Sequence, residues 1–203
     1  MRIPEQDPNI FQKVAVATHD IVTPANLIDA VAFGVAMRYM PQLDTTKGIG
    51  MVAGSFLADV VDGTVARATG TASALGAQVD AGGDKVKIAF GLYNIYKLDL
   101  ASPGLLAVVG LYNASNAGAV IYDKKFNENP DIEVSKNGKY SVFASCLGTG
   151  LQVIGSHLEK NNQPKLGQIA KVAGAGIAVG GIAKWGLPAT KDYWAKALGS
   201  NSS

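Results

Sequence analysis

The chain has 203 residues, 48% of them hydrophobic and 17% charged, with a net charge of +2. Charged residues fall below the roughly 25% usual for soluble domains, but composition alone leaves a membrane bundle and a soluble protein with a large core both open. The weak net charge gives no argument for a nucleic-acid partner, and the lone Cys146 excludes an internal disulfide framework or a cysteine-based metal cluster.

The N-terminal "MRIPEQDPNIFQKV" lacks the basic flank and apolar core of a cleavable signal peptide. "PNIFQKVAVATHDIV" suits an amphipathic helix lying on a membrane surface. Six apolar runs follow. Ile21 to Met40 is interrupted by Asp29 and Arg38, and Gly48 to Ala58 leads straight into an acidic stretch. Val86 to Leu98 comes after that stretch. Ala101 to Tyr122 and Tyr140 to Leu158 carry no charge and approach or exceed the roughly 20 residues a spanning helix needs. Gly167 to Leu187 is rich in Gly and Ala but holds Lys171 and Lys184. Ionisable residues inside a bundle usually face a functional cavity, so the interrupted runs count as spans. "GIGMVAGSFLA" and "VAGAGIAVGGIA" repeat small residues at helical spacing, which lets membrane helices approach closely.

The fold class expected is all-α: an integral membrane bundle of six transmembrane helices with an N-terminal amphipathic surface helix. Residues 1–20 form the N-terminal juxtamembrane segment, 21–188 the membrane domain and 189–203 a cytoplasmic tail. With both ends cytoplasmic, about eleven Lys and Arg fall on the cytoplasmic side and about five on the other, the direction of the positive-inside rule. Trp185 and Trp194 fit membrane-interface anchors. Asn113, Asn116 and Gln152 are expected to bond between helices or to line a cavity. Cys146 reads as an inert buried thiol. His19 and His157 are isolated and receive no catalytic role.

"DVVDGTVARATGTASALGAQVDAGGD", Asp59 to Asp84, is where the chemistry concentrates. If the second run stays helical through Arg67, Asp59 and Asp62 share a face with Gly63, and Ala66 and Arg67 continue it one turn on. After a break near "ATGTAS", Gly76, Asp80 and Asp84 recur at four-residue steps and share a face too. Four carboxylates brought together need protons or cations. Hard divalent cations suit such oxygen ligands, and two of them can clamp phosphoryl oxygens. Arg67 offers a planar fork for phosphate. Small residues at 63, 66 and 76 leave room for a ligand. The residues thus point to metal-assisted phosphoryl transfer near a membrane surface.

The pattern D-x-x-D-G-x-x-A-R, eight residues, G-x-x-x-D-x-x-x-D is complete here and resembles the signature of the CDP-alcohol phosphotransferase family. The resemblance implies a six-helix membrane enzyme, commonly dimeric. It would transfer a substituted phosphate from a CDP-linked donor to an alcohol and release CMP. It implies metal ligation by Asp59, Asp62 and Asp80, with two Mg²⁺ or Mn²⁺ ions. Asp84 would be the base for the acceptor hydroxyl and would also touch the second metal. Gly63, Ala66, Arg67 and Gly76 would line the cytidine diphosphate pocket, with Ser73 nearby. "TPANLID" resembles the P-N-x-x-T element opening the first helix of many members, placing Asn26 to Asp29 beside the nucleotide. Asp29 stands where Thr is usual. It either joins the donor site or is capped locally or paired with a nearby Lys.

Lys85 after Asp84 resembles the D-P-x-A-D-K of phosphatidylglycerophosphate synthases, and Gly138-Lys139 resembles part of the G-K-x-K-T of glycerophosphate users. Lys85 and Lys139 are therefore the acceptor-binding candidates, whereas Lys87 and Lys136 read as ordinary positive-inside lysines. The expected reaction is phosphatidyl transfer from CDP-diacylglycerol to glycerol 3-phosphate at the cytoplasmic face of the plasma membrane, by a homodimer. Inositol, inositol phosphate or serine are the alternative acceptors. A non-catalytic scaffold or a metal transporter is the alternative of another class.

Overall fold

The computed structural model describes residues 24–69, 74–127 and 135–199, though not the side chains of residues 24–26, 59, 60, 62, 63, 65–67, 69 and 74–81. Among these residues all regular structure is helical, as expected. The elements are α1 (Pro24–Tyr39), a 3₁₀ turn (Met40–Gln42), α2 (Thr46–Thr69), α3 (Ala74–Lys97), α4 (Pro103–Phe126), α5 (Lys136–Lys160), α6 (Pro164–Gly181), a π-helical turn (Ile182–Gly186) and α7 (Leu187–Ala197). The last three join end to end, so six helical rods correspond to the six apolar runs. The expected N-terminal surface helix lies outside the described residues, as does His19.

Prolines set several of these boundaries. Pro24, Pro103 and Pro164 each open a helix, where a missing N–H costs nothing because the first turn has no acceptor for it. Ser102 and Ser135 cap α4 and α5 by accepting the Leu105 and Gly138 amides at 3.3 and 3.1 Å. Pro188 is different, because it falls inside a rod. It cannot donate to the ladder and its ring crowds the preceding turn. The Leu187 amide instead reaches back five residues to the Ile182 carbonyl, and the extra residue appears as the π turn.

The described residues fall into two compact units. The first holds α1, α2 from Gly50 and α3 as far as Lys87; the second holds Met40–Ile49 and the chain from Ile88 onward. In the second, α5 and α6 form an antiparallel hairpin whose turn carries Asn162 with φ 60°. Their seam is built from glycines. A Cβ on Gly155 would stand 2.6 Å from the Gly167 carbonyl oxygen, and one on Gly174 would stand 2.5 Å from that of Gly148. No side chain fits between the two backbones at either place. Gln152 Nε2 donates across the seam to the Lys171 carbonyl at 2.5 Å, and Lys171 Nζ pairs with Glu159 at 2.6 Å.

The rod beyond the π turn packs on α4. Ala119, Ala189, Tyr193 and Ala197 form a buried cluster with Trp194 against it. Thr190 Oγ1 donates to Asn116 Oδ1 at 2.6 Å, and Trp194 Nε1 donates to Ser115 Oγ at 3.0 Å. The Tyr193 hydroxyl accepts the Ser135 amide at 3.0 Å. The segment from 189, expected as a tail, is therefore helical and packed as far as Ala197, because Ala189, Tyr193 and Ala197 recur at four-residue steps. Asn116 and Gln152 bond between helices as expected, whereas Asn113 donates to the Val109 carbonyl of its own helix at 2.9 Å. Cys146 is half-buried rather than buried. His157 ties a turn, lying 3.0 Å from Thr46 Oγ1 and 3.3 Å from the Asp44 carbonyl.

Among the described residues, two rods are long and apolar enough to cross a membrane: α4 and Pro164–Ala197. The uncharged run in α5 does form a helix, and its buried face carries Ser141, Ser145, Thr149, Gln152 and Ser156 beside Ala144, Gly148, Val153 and Gly155. Small and large side chains are both buried, Met40 and Leu100 among the large ones. Ala36, Ala119, Ala178 and Ala189 are fully buried, while Leu111, Phe143 and Val172 are 72, 69 and 68% exposed. Large apolar side chains on the outside are compatible with surroundings as apolar as the interior.

Candidate active site

The acidic stretch is divided between two helices of the first unit. α2 continues without a break through Arg67 to Thr69, so Asp59, Asp62, Gly63, Ala66 and Arg67 occupy successive turns of one helix. α3 begins at Ala74, and Gly76, Asp80 and Asp84 follow at four-residue steps on its first turns. The break expected near "ATGTAS" involves residues 70–73, which lie outside the described residues. Ser73 lies outside the described residues, and so do the side chains of Asn26, Asp59, Asp62, Gly63, Ala66, Arg67, Gly76 and Asp80.

The side-chain geometry of the site is therefore that of Asp29, Asp84 and Lys87. Lys87 lies one turn beyond Asp84 on α3, and its side chain is 1% exposed. Its ammonium is 3.0 Å from Asp84 Oδ1 and 3.4 Å from Asp29 Oδ1 on α1. Phe33, one turn further along α1, is the side chain nearest to Gly83, so the two helices meet beside this ion cluster. Lys87 is thus no ordinary positive-inside lysine. A buried ammonium needs counter-charge at close range, and the two carboxylates supply it. Asp29 is paired with a lysine, as one of its two expected roles required.

Sequence reasoning passed over Lys87, although a signal existed. A lysine three residues after an aspartate on one helix, with a lone aspartate in another apolar run, is the pattern of an intrahelical and an interhelical ion pair. Lys85 is exposed at the surface of α3, and Lys139 is exposed in the first turn of α5. A separate cleft of about 440 Å³, lined by Asp99, Ser102, Gln152 and Lys171 among others, lies within the second unit, and no residue of the acidic stretch lines it.

Among the described residues, no group of three or more His, Cys, Asp or Glu could hold a metal ion; the side chains of Asp59, Asp62 and Asp80 lie outside them. The chemistry of the donor set nevertheless fits a hard divalent cation: the motif supplies four carboxylates and no sulfur or imidazole. Asp84 keeps 47% of its side chain exposed despite its ion pair, so its carboxylate remains reachable.

A model of the CDP-alcohol phosphatidyltransferase family matches residues 17–180. The chain belongs to that family. The match runs from before α1 to the end of α6 and includes every motif position on α2 and α3. No curated protein and no solved structure matches the chain. As a CDP-alcohol phosphatidyltransferase the protein is an enzyme, one that moves a phosphatidyl group from a CDP-linked donor to an alcohol. Enzymes of this family generally use divalent metal ions.

Proposed function

We propose that the enzyme transfers the phosphatidyl group of CDP-diacylglycerol to glycerol 3-phosphate, releasing CMP. The observation that carries this reading is the complete motif, with one half on continuous helix α2 and the other on α3. The acceptor is argued from Lys85, which follows Asp84 directly and is exposed, as a cation for the acceptor's phosphate; Lys139 is a second candidate. We also infer that the six rods form a membrane bundle, homodimeric, in the plasma membrane with the motif at the cytoplasmic face. The outward-facing Leu111, Phe143 and Val172 support lipid surroundings for it.

In this reading the acceptor hydroxyl loses its proton to Asp84 as its oxygen attacks the β-phosphorus. The bond from that phosphorus to the oxygen bridging it to CMP breaks, and CMP departs with that oxygen. Arg67 binds a phosphate of the donor through its planar fork, and Gly63, Ala66 and Gly76 leave room for the nucleotide. Asn26 and Ser73 are further candidates for contact with it. Asp59, Asp62, Asp80 and Asp84 would hold Mg²⁺ or Mn²⁺, two ions in the fullest case, which would screen the pyrophosphate and stabilise the leaving group.

The test is CMP release from CDP-dioleoylglycerol in mixed micelles with Mg²⁺ or Mn²⁺. Glycerol 3-phosphate, inositol, inositol 1-phosphate and serine are supplied in turn. Glycerol 3-phosphate should give the highest turnover. Preference for another alcohol would overturn the acceptor assignment, and CMP release with none of them would overturn the reaction.

A further inference from the structure

An ammonium buried to 1% exposure is costly unless its charge is met by well-placed partners. Lys87 has such partners on two helices, Asp84 on its own and Asp29 on α1, at 3.0 and 3.4 Å. Asp29 is itself mostly buried, with 18% of its side chain exposed. Asp84, by contrast, has one carboxylate oxygen on the lysine and nearly half of its side chain open. An aspartate this exposed would ordinarily sample several rotamers. Here a buried cation, held also by a second carboxylate, selects one of them.

We propose that Lys87, held in place by Asp29, is a positioning residue for Asp84. It engages Oδ1 and thereby directs the remaining oxygen to the acceptor's hydroxyl proton. The inference rests on the reading of Asp84 as the base. Asp29 then acts through Lys87 and not by touching the nucleotide. Asp29 and Lys87 are two halves of one device. Losing either half loosens the carboxylate that must meet the proton, so turnover suffers more than donor binding.

The experiment compares Lys87→Met, Lys87→Arg, Asp29→Asn and the Asp29→Asn/Lys87→Met double variant with the parent. All are assayed per folded enzyme with the alcohol that drives turnover best. Misplacing a catalytic group by about 1 Å can cost about 100-fold, so kcat of Lys87→Met should fall about 10- to 100-fold with the KM for CDP-diacylglycerol within about twofold. Lys87→Arg should recover much of the loss. Asp29→Asn should lower kcat in the same sense, and the double variant should be no slower than Lys87→Met, the non-additivity of groups acting as a unit. In EDTA, independent of turnover, Lys87→Met and Asp29→Asn should each melt about 5–10 °C below the parent, with the double variant well short of the sum.

A kcat of Lys87→Met within about twofold of the parent, additive losses, or a raised donor KM with unchanged kcat would each overturn the proposal. If Lys87→Met does not fold, Asp29→Asn leaves Lys87 its partner on α3 and decides the matter by the same kcat criterion. Asp84→Asn separates the two levels. Normal turnover in that variant removes the base assignment and this inference together. An inactive Asp84→Asn beside a normal Lys87→Met removes this inference alone.

Discussion

The α5–α6 seam makes a prediction in which the same substitution has opposite signs two residues apart. Gly148 is buried, and a Cβ there would lie against the Gly174 carbonyl oxygen and 2.7 Å from both the amide nitrogen and the Cβ of Ala178. Gly150 has nothing within 4 Å of the same added atom. Ordinary contact begins near 3.4 Å, so Gly148→Ala requires the helices to part by at least about 0.7 Å, and by more at the Gly174 carbonyl, enough to forfeit a quarter to a half of the dispersion energy of the atoms concerned. The obstacle is backbone, which cannot swing aside as a long side chain would. The cost therefore belongs at the upper end of the range for overpacking, about 3 kcal/mol. Replacing Gly by Ala inside a helix returns about 1 kcal/mol. The net expectation is about 2 kcal/mol lost at 148 and up to about 1 kcal/mol gained at 150.

Thermal unfolding in detergent, followed through the tryptophans of the Pro164–Ala197 rod, reads the difference. For a chain of this size, Gly148→Ala should melt about 4–8 °C below the parent and Gly150→Ala at or above it. Gly174→Ala and Gly176→Ala form the same contrast on α6, since only Gly174 faces backbone at contact distance. If Gly148→Ala melts with the parent, or Gly150→Ala falls as far, the seam is not backbone against backbone and the reasoning is refuted.

Lys85→Met should raise the KM for glycerol 3-phosphate about tenfold or more while leaving that for CDP-diacylglycerol within about twofold, the loss of one charge-assisted contact to the acceptor; equal effects on both substrates would remove Lys85 from the acceptor site. Tyr193→Phe deletes the hydroxyl that accepts the Ser135 amide and should lower stability in detergent by about 1 kcal/mol without changing kcat. Ser102→Ala removes the cap of α4 at a similar cost, about 1 kcal/mol, measurable in the same melts. EDTA should abolish CMP release, and Mg²⁺ or Mn²⁺ should restore it where Ca²⁺ does so poorly, because the larger ion prefers longer bonds and more ligands.

The sequence disclosed the helices well because their signals are local. Apolar runs, prolines in first turns and serine caps all act within a few residues. The motif positions on α2 and α3 were legible for the same reason, since three- and four-residue steps on an unbroken helix fix a shared face. What escaped was long-range. The fate of Lys87 depends also on Asp29, 58 residues earlier in the chain, and the Asp84–Lys87 spacing on α3 shows only the local half of it. The packing of Tyr193 against Ser135 also spans 58 residues, which is why the segment from 189 read as a tail. The π turn was hidden for a subtler reason: Pro188 signals a helix start, and only the uninterrupted rod behind it turns that signal into a bulge.

The charges of the motif also bear on how many cations the site can use. Asp29, Asp59, Asp62, Asp80 and Asp84 supply five negative charges, and Arg67, Lys85 and Lys87 supply three positive ones. The deficit is two, which one divalent ion would balance. A second ion would leave the site positive, and like charges held close in partly dry surroundings are unstable without a counter-charge. The donor's pyrophosphate brings that counter-charge with it. If the proposed site takes two ions, this balance would have the first bind the free enzyme and the second bind with the nucleotide, so metal affinity measured calorimetrically should show one ion per chain without CDP-diacylglycerol and two with it. Asp29→Thr would test the count from the other side, because it removes one negative charge and should weaken the first ion. Two ions of equal affinity in the free enzyme would contradict the balance. They would mean that a cation of the site moves aside when metal enters, and Lys87, whose ammonium lies 3.0 Å from Asp84 Oδ1, is the one whose displacement would also free that carboxylate.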